Sequence, residues 1–140
     1  MSEFPGTLYS RSKIWLEDKE GKVIFGAGRL RILKAIQEKG SIHAAAKELR
    51  MGYRAVWARI HATEKRLGVR LLEKKIGGSG GGGSVLTPLA EKLINSFTSV
   101  QQEIEKETDT GFKKHLENVL DVEIASPGSK DRKPGQTQNC

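Results

Sequence analysis

The 140-residue chain has a single cysteine, and it is the last residue, Cys140. It cannot close an intrachain disulfide, so a disulfide-built secreted scaffold is excluded and a reducing compartment is expected, with the terminal thiol inert. No stretch approaches the roughly 18 consecutive apolar residues of a membrane span, and the N-terminal "MSEFPGTLYSRSK" has no apolar signal-peptide core. A cytoplasmic location is therefore expected. The histidines His43, His61 and His115 share no ligand spacing and read as solvated or packing side chains, with no metal site. No catalytic constellation and no cofactor motif is found, and the chain is not expected to be an enzyme.

Glycine and positive charge are present instead. Residues 77–84, "GGSGGGGS", hold six glycines and two serines, a composition shared by flexible linkers and by phosphate-cradling loops. The nucleotide-binding kind of loop needs Lys and then Ser or Thr after its last glycine, opening a helix; here Ser84 runs into the strand-like "VLT". The chain has 24 Lys and Arg against 17 Asp and Glu, a net charge of +7, unevenly spread. Residues 41–84 carry +6 and residues 88–123 carry −4, so the middle segment is the candidate footprint for a polyanion.

Hydrophobic spacing supplies the elements. "KIWLE" and "KVIFG" flank the turn residues of "DKEG", so residues 13–26 read as a β-hairpin. "GRLRILKAIQEKG" has helical spacing at Leu30, Leu33 and Ile36, and Gly40 stands where a left-handed cap ends a helix of about three turns. Ser41 is a good N-cap for a second helix over 42–50, with Ile42, Ala45, Ala46 and Leu49 on one face and Gly52 at the break. "YRAVWARIHATEKRLG" continues as a third helix, with Val56, Ile60, Thr63 and Leu67 inward and Gly68 as its stop. Two helices joined by a short glycine-containing turn have the form of a helix-turn-helix, with an ordinary helical hairpin as the alternative. The small residues Ala45 and Ala46 suit a close crossing.

Strand-like stretches at Val69–Ile76 and Val85–Thr87 bracket the glycine run, giving a hairpin of the kind called a wing. Thr87 and Pro88 are helix-start signals. Beyond them Leu89, Leu93, Phe97, Val100 and Ile104 follow spacings of 4, 4, 3 and 4 on a helix of about twenty residues, roughly 30 Å long. Pairing with the same helix of a second copy is favoured over packing within one chain, and "FKKHLENVL" is expected as a further short helix.

"GSIHAAAKELRMGYRAVWARIHATEKRLGVRLLEK" resembles the N-terminal winged helix of LysR-type regulators. "GYRAVWARI" joined to "GGSGGGGSVLTPLAEKLI" is closer still to the ModE family of molybdate-responsive transcriptional regulators, whose own wing is glycine-rich and runs into "VLT". The glycine run thus resembles a native wing tip. The resemblance covers roughly residues 13–110. The family's larger members continue into small β-barrels that bind the oxyanion. Here "DVEIASPGSKDRKPGQTQNC" is too polar to bury a core, so molybdate binding is not carried over and a DNA-binding member without that domain is expected.

The expected architecture is mainly α with small β-hairpins: a winged helix-turn-helix over 13–87, a dimerisation helix with a short extension over 88–120, and a disordered tail over 121–140. The expected function is a sequence-specific transcriptional regulator that binds double-stranded DNA as a homodimer, with no membrane and no identifiable small-molecule effector. An oxyanion-binding protein of molybdenum homeostasis and a sequence-tolerant, chromatin-like DNA binder are the alternatives.

The resemblance puts Gly52, Tyr53, Arg54 and Trp57 at the start of the recognition helix. Arg54 suits a guanine edge or a phosphate, and Tyr53 and Arg59 suit the DNA backbone. Trp57 serves either DNA or the packing of helix three on helix one. Ser41 and His43 stand at the start of helix two, where the dipole favours phosphate. Lys74 and Lys75 stand at the wing's base, and Gly78, Ser79, Gly80, Gly81 and Ser84 at its tip, where a backbone without Cβ comes close to phosphates.

Overall fold

A computed structural model describes residues 6–75 and 83–125. In chain order these form β1 (Thr7–Tyr9), β2 (Trp15–Glu17), β3 (Val23–Gly26), α1 (Ala27–Lys39), α2 (Ile42–Leu49), α3 (Tyr53–Leu67), β4 (Leu72–Lys75), β5 (Gly83–Leu86), α4 (Pro88–Leu120) and β6 (Glu123–Ala125). The fold is a winged helix-turn-helix followed by a long helix, as expected. Among the described residues no helix is long and apolar enough to cross a membrane.

Local chemistry explains most of the boundaries. The Asp18 carboxylate accepts hydrogen bonds from the backbone N–H groups of Lys22 and Glu20, closing the β2–β3 turn, and these bonds hold its pKa below the usual carboxylate value. Gly40 ends α1 in the left-handed region, at φ 80°, and Gly68 ends α3 there, at φ 67°. The Ser41 hydroxyl accepts from the Ala44 N–H and starts α2. Thr87 does the same for α4 by accepting from the Ala90 N–H, and its hydroxyl donates to the Arg70 carbonyl, tying the start of α4 to the segment before β4.

The chain divides into two compact units, each with its own packing. The winged unit, Ile14–Phe97, has a core of Phe25, Leu30, Leu33, Ile36, Ile42, Ala45, Ala46, Val56, Ile60, Leu71, Leu86, Ala90, Ile94 and Phe97. Ala45 is fully buried and Ala46 nearly so, as the close crossing of α2 requires. Thr63 is buried on the same face of α3, its hydroxyl satisfied by the Arg59 carbonyl 3.0 Å away. In the second unit β1 pairs in parallel with β6, Thr7 opposite Glu123, and Ser10 donates a hydrogen bond to Asp109.

Several expectations change. Gly52 stands at the break between α2 and α3, as the extended N-cap of α3 at φ −70°, and the left-handed residue of that break is Arg50, at φ 55°. Leu67 is exposed. β4 begins at Leu72 instead of Val69: the Val69 N–H is taken by the Glu64 carbonyl and the Leu71 N–H by the Glu64 carboxylate; Ile76 lies outside the described residues. β5 starts two residues earlier than Val85 and ends before Thr87, which is the helix cap. "FKKHLENVL" is no separate helix: α4 runs unbroken for 33 residues, about 50 Å at 1.5 Å per residue. Residues 123–125 are a strand, not part of a disordered tail; residues 126–140 lie outside the described residues.

The largest correction concerns Phe97. It is only 7% exposed, and its ring meets Phe25 edge-on with centroids 5.0 Å apart, so it belongs to the winged core and cannot line an outward seam. Ala90 and Ile94 are buried with it, and Leu93 packs partly against the same core. Of the expected seam, Leu89, Val100 and Ile104 are exposed.

Candidate nucleic-acid interface

Three elements build the site. α2 begins at the Ser41 cap, and helix N-termini leave unpaired N–H groups that attract anions. The next residue but one, His43, stacks its ring on Tyr53, with centroids 4.1 Å apart and planes 16° from parallel, so the starts of α2 and α3 are joined by a ring contact. Tyr53 follows the Gly52 cap, and a Cβ at Gly52 would meet nothing within 4 Å, so the glycine leaves open space in front of the helix.

Across from them stands the wing. Ser41, Ile42, His43, Tyr53, Lys74, Lys75, Gly83 and Ser84 line a cleft of about 340 Å³. The β4–β5 register sets Lys74 opposite Ser84 and Lys75 opposite Gly83. The cleft thus combines two ammonium groups, a helix N-terminus and the hydroxyls of Ser41, Tyr53 and Ser84, a donor set suited to phosphate. Gly78, Ser79, Gly80 and Gly81 lie outside the described residues.

A second contact braces the wing against α3. The Glu64 carboxylate accepts from Leu71 N–H at 2.8 Å and Leu72 N–H at 3.1 Å, and its other oxygen lies 3.4 Å from His61 Nδ1. His61 stacks on Trp57 at 4.7 Å between centroids. Trp57 is 45% exposed, which leaves it on the protein surface and not as a strut between α3 and α1. Arg54 is exposed near the start of the same helix.

Tyr53, Arg54, Trp57, Ser41, His43, Lys74, Lys75 and Ser84 therefore lie on or beside one surface. Arg59 does not join them. The core phase of α3 is set by Val56, Ile60 and Thr63, which turns Arg59 to the flank away from Trp57 and His61. There it neighbours Arg66 and Arg29. Burial, and then the charges of Arg59 and Arg66, hold the Arg29 guanidinium below its usual pKa. Sequence reasoning missed Glu64 and the surface role of His61; the Trp57–His61–Glu64 spacing of four and three residues is the signal that carried them.

With this geometry in view, the family described as "Bacterial regulatory helix-turn-helix protein, lysR family" matches residues 28–91. Over these residues the chain is similar to LysR-type helix-turn-helix domains. The domain's relatives bear out the resemblance to ModE regulators. The chain is 40% identical over 81 residues to the molybdenum-pterin-binding protein MopB of Rhodobacter capsulatus, covering 58% of this chain and 30% of that protein. It is 39% identical over 74 residues to the transcriptional regulator ModE of Haemophilus influenzae, covering 53% of this chain and 29% of that one. With the DNA-binding transcriptional dual regulator ModE of Escherichia coli it shares 35% over 81 residues, 58% of this chain and 31% of that one. The match thus spans about 30% of the length of these relatives. Among solved structures, the CbnR DNA-binding domain in complex with DNA aligns with 62% of this chain and 94% of its own at 24% identity, with a TM-score of 0.49.

Proposed function

We propose that the chain binds double-stranded DNA sequence-specifically and regulates transcription, with the start of α3 in the major groove and the wing on the backbone. The observation that carries this reading is the cleft in which Ser41 and Tyr53 face Lys74 and Lys75, beside an exposed Arg54, within a segment of net charge +6. The relatives named as transcriptional regulators support it.

Each side chain then has a role set by its chemistry. Lys74, Lys75 and the N-terminus of α2 neutralise phosphates, which supplies affinity but no sequence information. Arg54, with its planar fork of donors, reads O6 and N7 of a guanine. Tyr53 is held in orientation by the His43 stack and reaches a phosphate through its hydroxyl. Glu64 sets the angle between the helix and the wing. The chemistry is recognition without a bond made or broken.

The reading includes a homodimer. Val100 is 47% exposed and Ile104 37% exposed on α4, four residues apart on one face, and two such helices paired about a two-fold axis would cover them. The target is then an inverted repeat with half-sites about one helical turn apart, or a multiple of it. Footprinting of the full chain on fragments of its own genome, with unrelated duplex as competitor, tests the function. Protected inverted repeats that survive competition are expected, and retention of no duplex even at low salt would end the proposal. Sedimentation tests the dimer: Val100→Asp with Ile104→Asp is expected to give folded monomers that lose most of their affinity for the full repeat, since the second half-site no longer gains from tethering. A monomeric wild-type chain would remove dimerisation from the account.

A further inference from the structure

The basic flank of α3 that faces away from the wing has no part in that reading. At about 100° per residue, Arg59 and Arg66 fall on one flank of α3, roughly 140–180° around the helix from Trp57 and His61. Exposed Arg54, Ala58 and Lys65 lie between these two flanks, opposite the buried Val56, Ile60 and Thr63. Arg66 is anchored there, its Nη1 donating to the Val23 carbonyl of β3 at 3.2 Å. β3 ends at Gly26, the cap of α1, and Arg29 is the third residue of that helix. The Arg29 Nε is buried with no hydrogen-bond partner among the described residues.

Three guanidiniums are thus gathered where α1, β3 and α3 meet. Neither the Lys39–Glu48 nor the His61–Glu64 ion pair involves these arginines. Asp18, in the β2–β3 turn, offsets part of the Arg66 charge, but the like charges of Arg59 and Arg66 bear on Arg29, and a buried donor without an acceptor costs free energy. An anion seated between them relieves both.

Resting on the DNA-binding reading above, we propose that Arg29, Arg59 and Arg66 form a second phosphate clamp, holding the DNA strand on the opposite side of the major groove from the wing. A major groove about 12 Å wide with a helix in it has a phosphate backbone on each side. Lys74, Lys75 and Ser41 face one bank, and the arginines stand at the other. The ligand is a backbone phosphodiester, so the clamp adds affinity and register but no base preference.

The experiment compares the full chain with Arg29→Gln, Arg59→Gln and Arg59→Lys on the footprinted duplex, reading the log–log salt dependence of affinity and phosphate-ethylation interference. Each Gln variant is expected to lower the slope by about 0.9 and to abolish interference at one or two phosphates on the strand opposite those affected by Lys74→Ala. Arg59→Lys, which keeps the charge, is expected to keep the slope, whereas a merely structural arginine would make Lys and Gln alike. Unchanged slopes in the Gln variants, beside a lowered slope in Lys74→Ala, would overturn the clamp and leave the DNA-binding reading standing. Interference abolished on the Lys74 strand would also overturn it, and an affinity for inorganic phosphate equal to that for duplex would make the site a free-anion site instead. Absence of any duplex binding by the wild-type chain would refute the parent reading and the clamp together.

Discussion

Replacing Glu64 with Ala removes the side chain that ties α3 to the root of the wing, and the cost can be worked from three interactions. Glu64 accepts two backbone hydrogen bonds, from a fully buried Leu71 and a half-buried Leu72, and meets His61 on its other oxygen. Its carboxylate is only partly screened, being 17% exposed. A hydrogen bond to a charged group contributes about 1.5–3 kcal/mol net, and a buried N–H left without a partner costs about 1–3 kcal/mol. The Leu71 N–H bears the full penalty, while water entering the space left by the side chain recovers part of the Leu72 loss. The expected destabilisation of the winged unit is about 2–4 kcal/mol. Glu64→Gln keeps an acceptor oxygen but loses the charge, so it should cost about half as much. Urea unfolding followed by circular dichroism measures both, as a lowered midpoint with an unchanged slope. DNA affinity should fall with stability, because Lys74 and Lys75 stand on the strand that Glu64 positions. Equal midpoints for wild type and Glu64→Ala would refute the idea that this carboxylate fixes the wing.

Other consequences follow from the same geometry. Phe97→Ala should cost about 3–5 kcal/mol in thermal or urea unfolding, because it empties a core site against Phe25, whereas Val100→Asp should leave the winged unit's stability unchanged. A similar cost for both would mean that Phe97 is no more a core residue than Val100. Lys74→Ala with Lys75→Ala should flatten the salt dependence of duplex binding by about 0.9 for each phosphate no longer neutralised, without changing the preferred sequence in a competition assay; a changed preference would assign the lysines to base readout.

Ser41, Gly40, Gly68 and the Thr87–Pro88 pair are legible in the sequence because each acts within four residues of itself, through a capping hydrogen bond or a left-handed φ. Phe97 is not. Leu89–Leu93–Val100 and Ala90–Ile94–Phe97 are neighbouring stripes of one helix with the same period, and only Phe25, distant in sequence, decides which stripe turns inward. The β1–β6 pair is harder still, since it joins strands of three residues separated by more than a hundred positions, with no turn between them to announce it. Glycine is the usual occupant of a left-handed turn, which makes Gly52 the natural choice before α3; Arg50 takes that conformation instead, and Gly52 leaves open space on the face proposed to meet DNA. The flank occupied by Arg59 is available from the sequence, because Val56, Ile60 and Thr63 fix the phase of α3. Its meeting with Arg29 requires the fold.

The central claim is that the exposed start of α3 reads base edges, and Arg54 tests it most directly. Duplexes selected from a random pool by the full chain, and scrambled versions of them, would be titrated with wild type and Arg54→Ala at one fixed salt concentration. If Arg54 touches a base, its removal costs about 1–3 kcal/mol on the selected duplex, roughly a 5- to 150-fold loss, and far less on the scrambled one. Equal losses on both duplexes, or no preference of the wild-type chain for its selected sequence, would contradict the account.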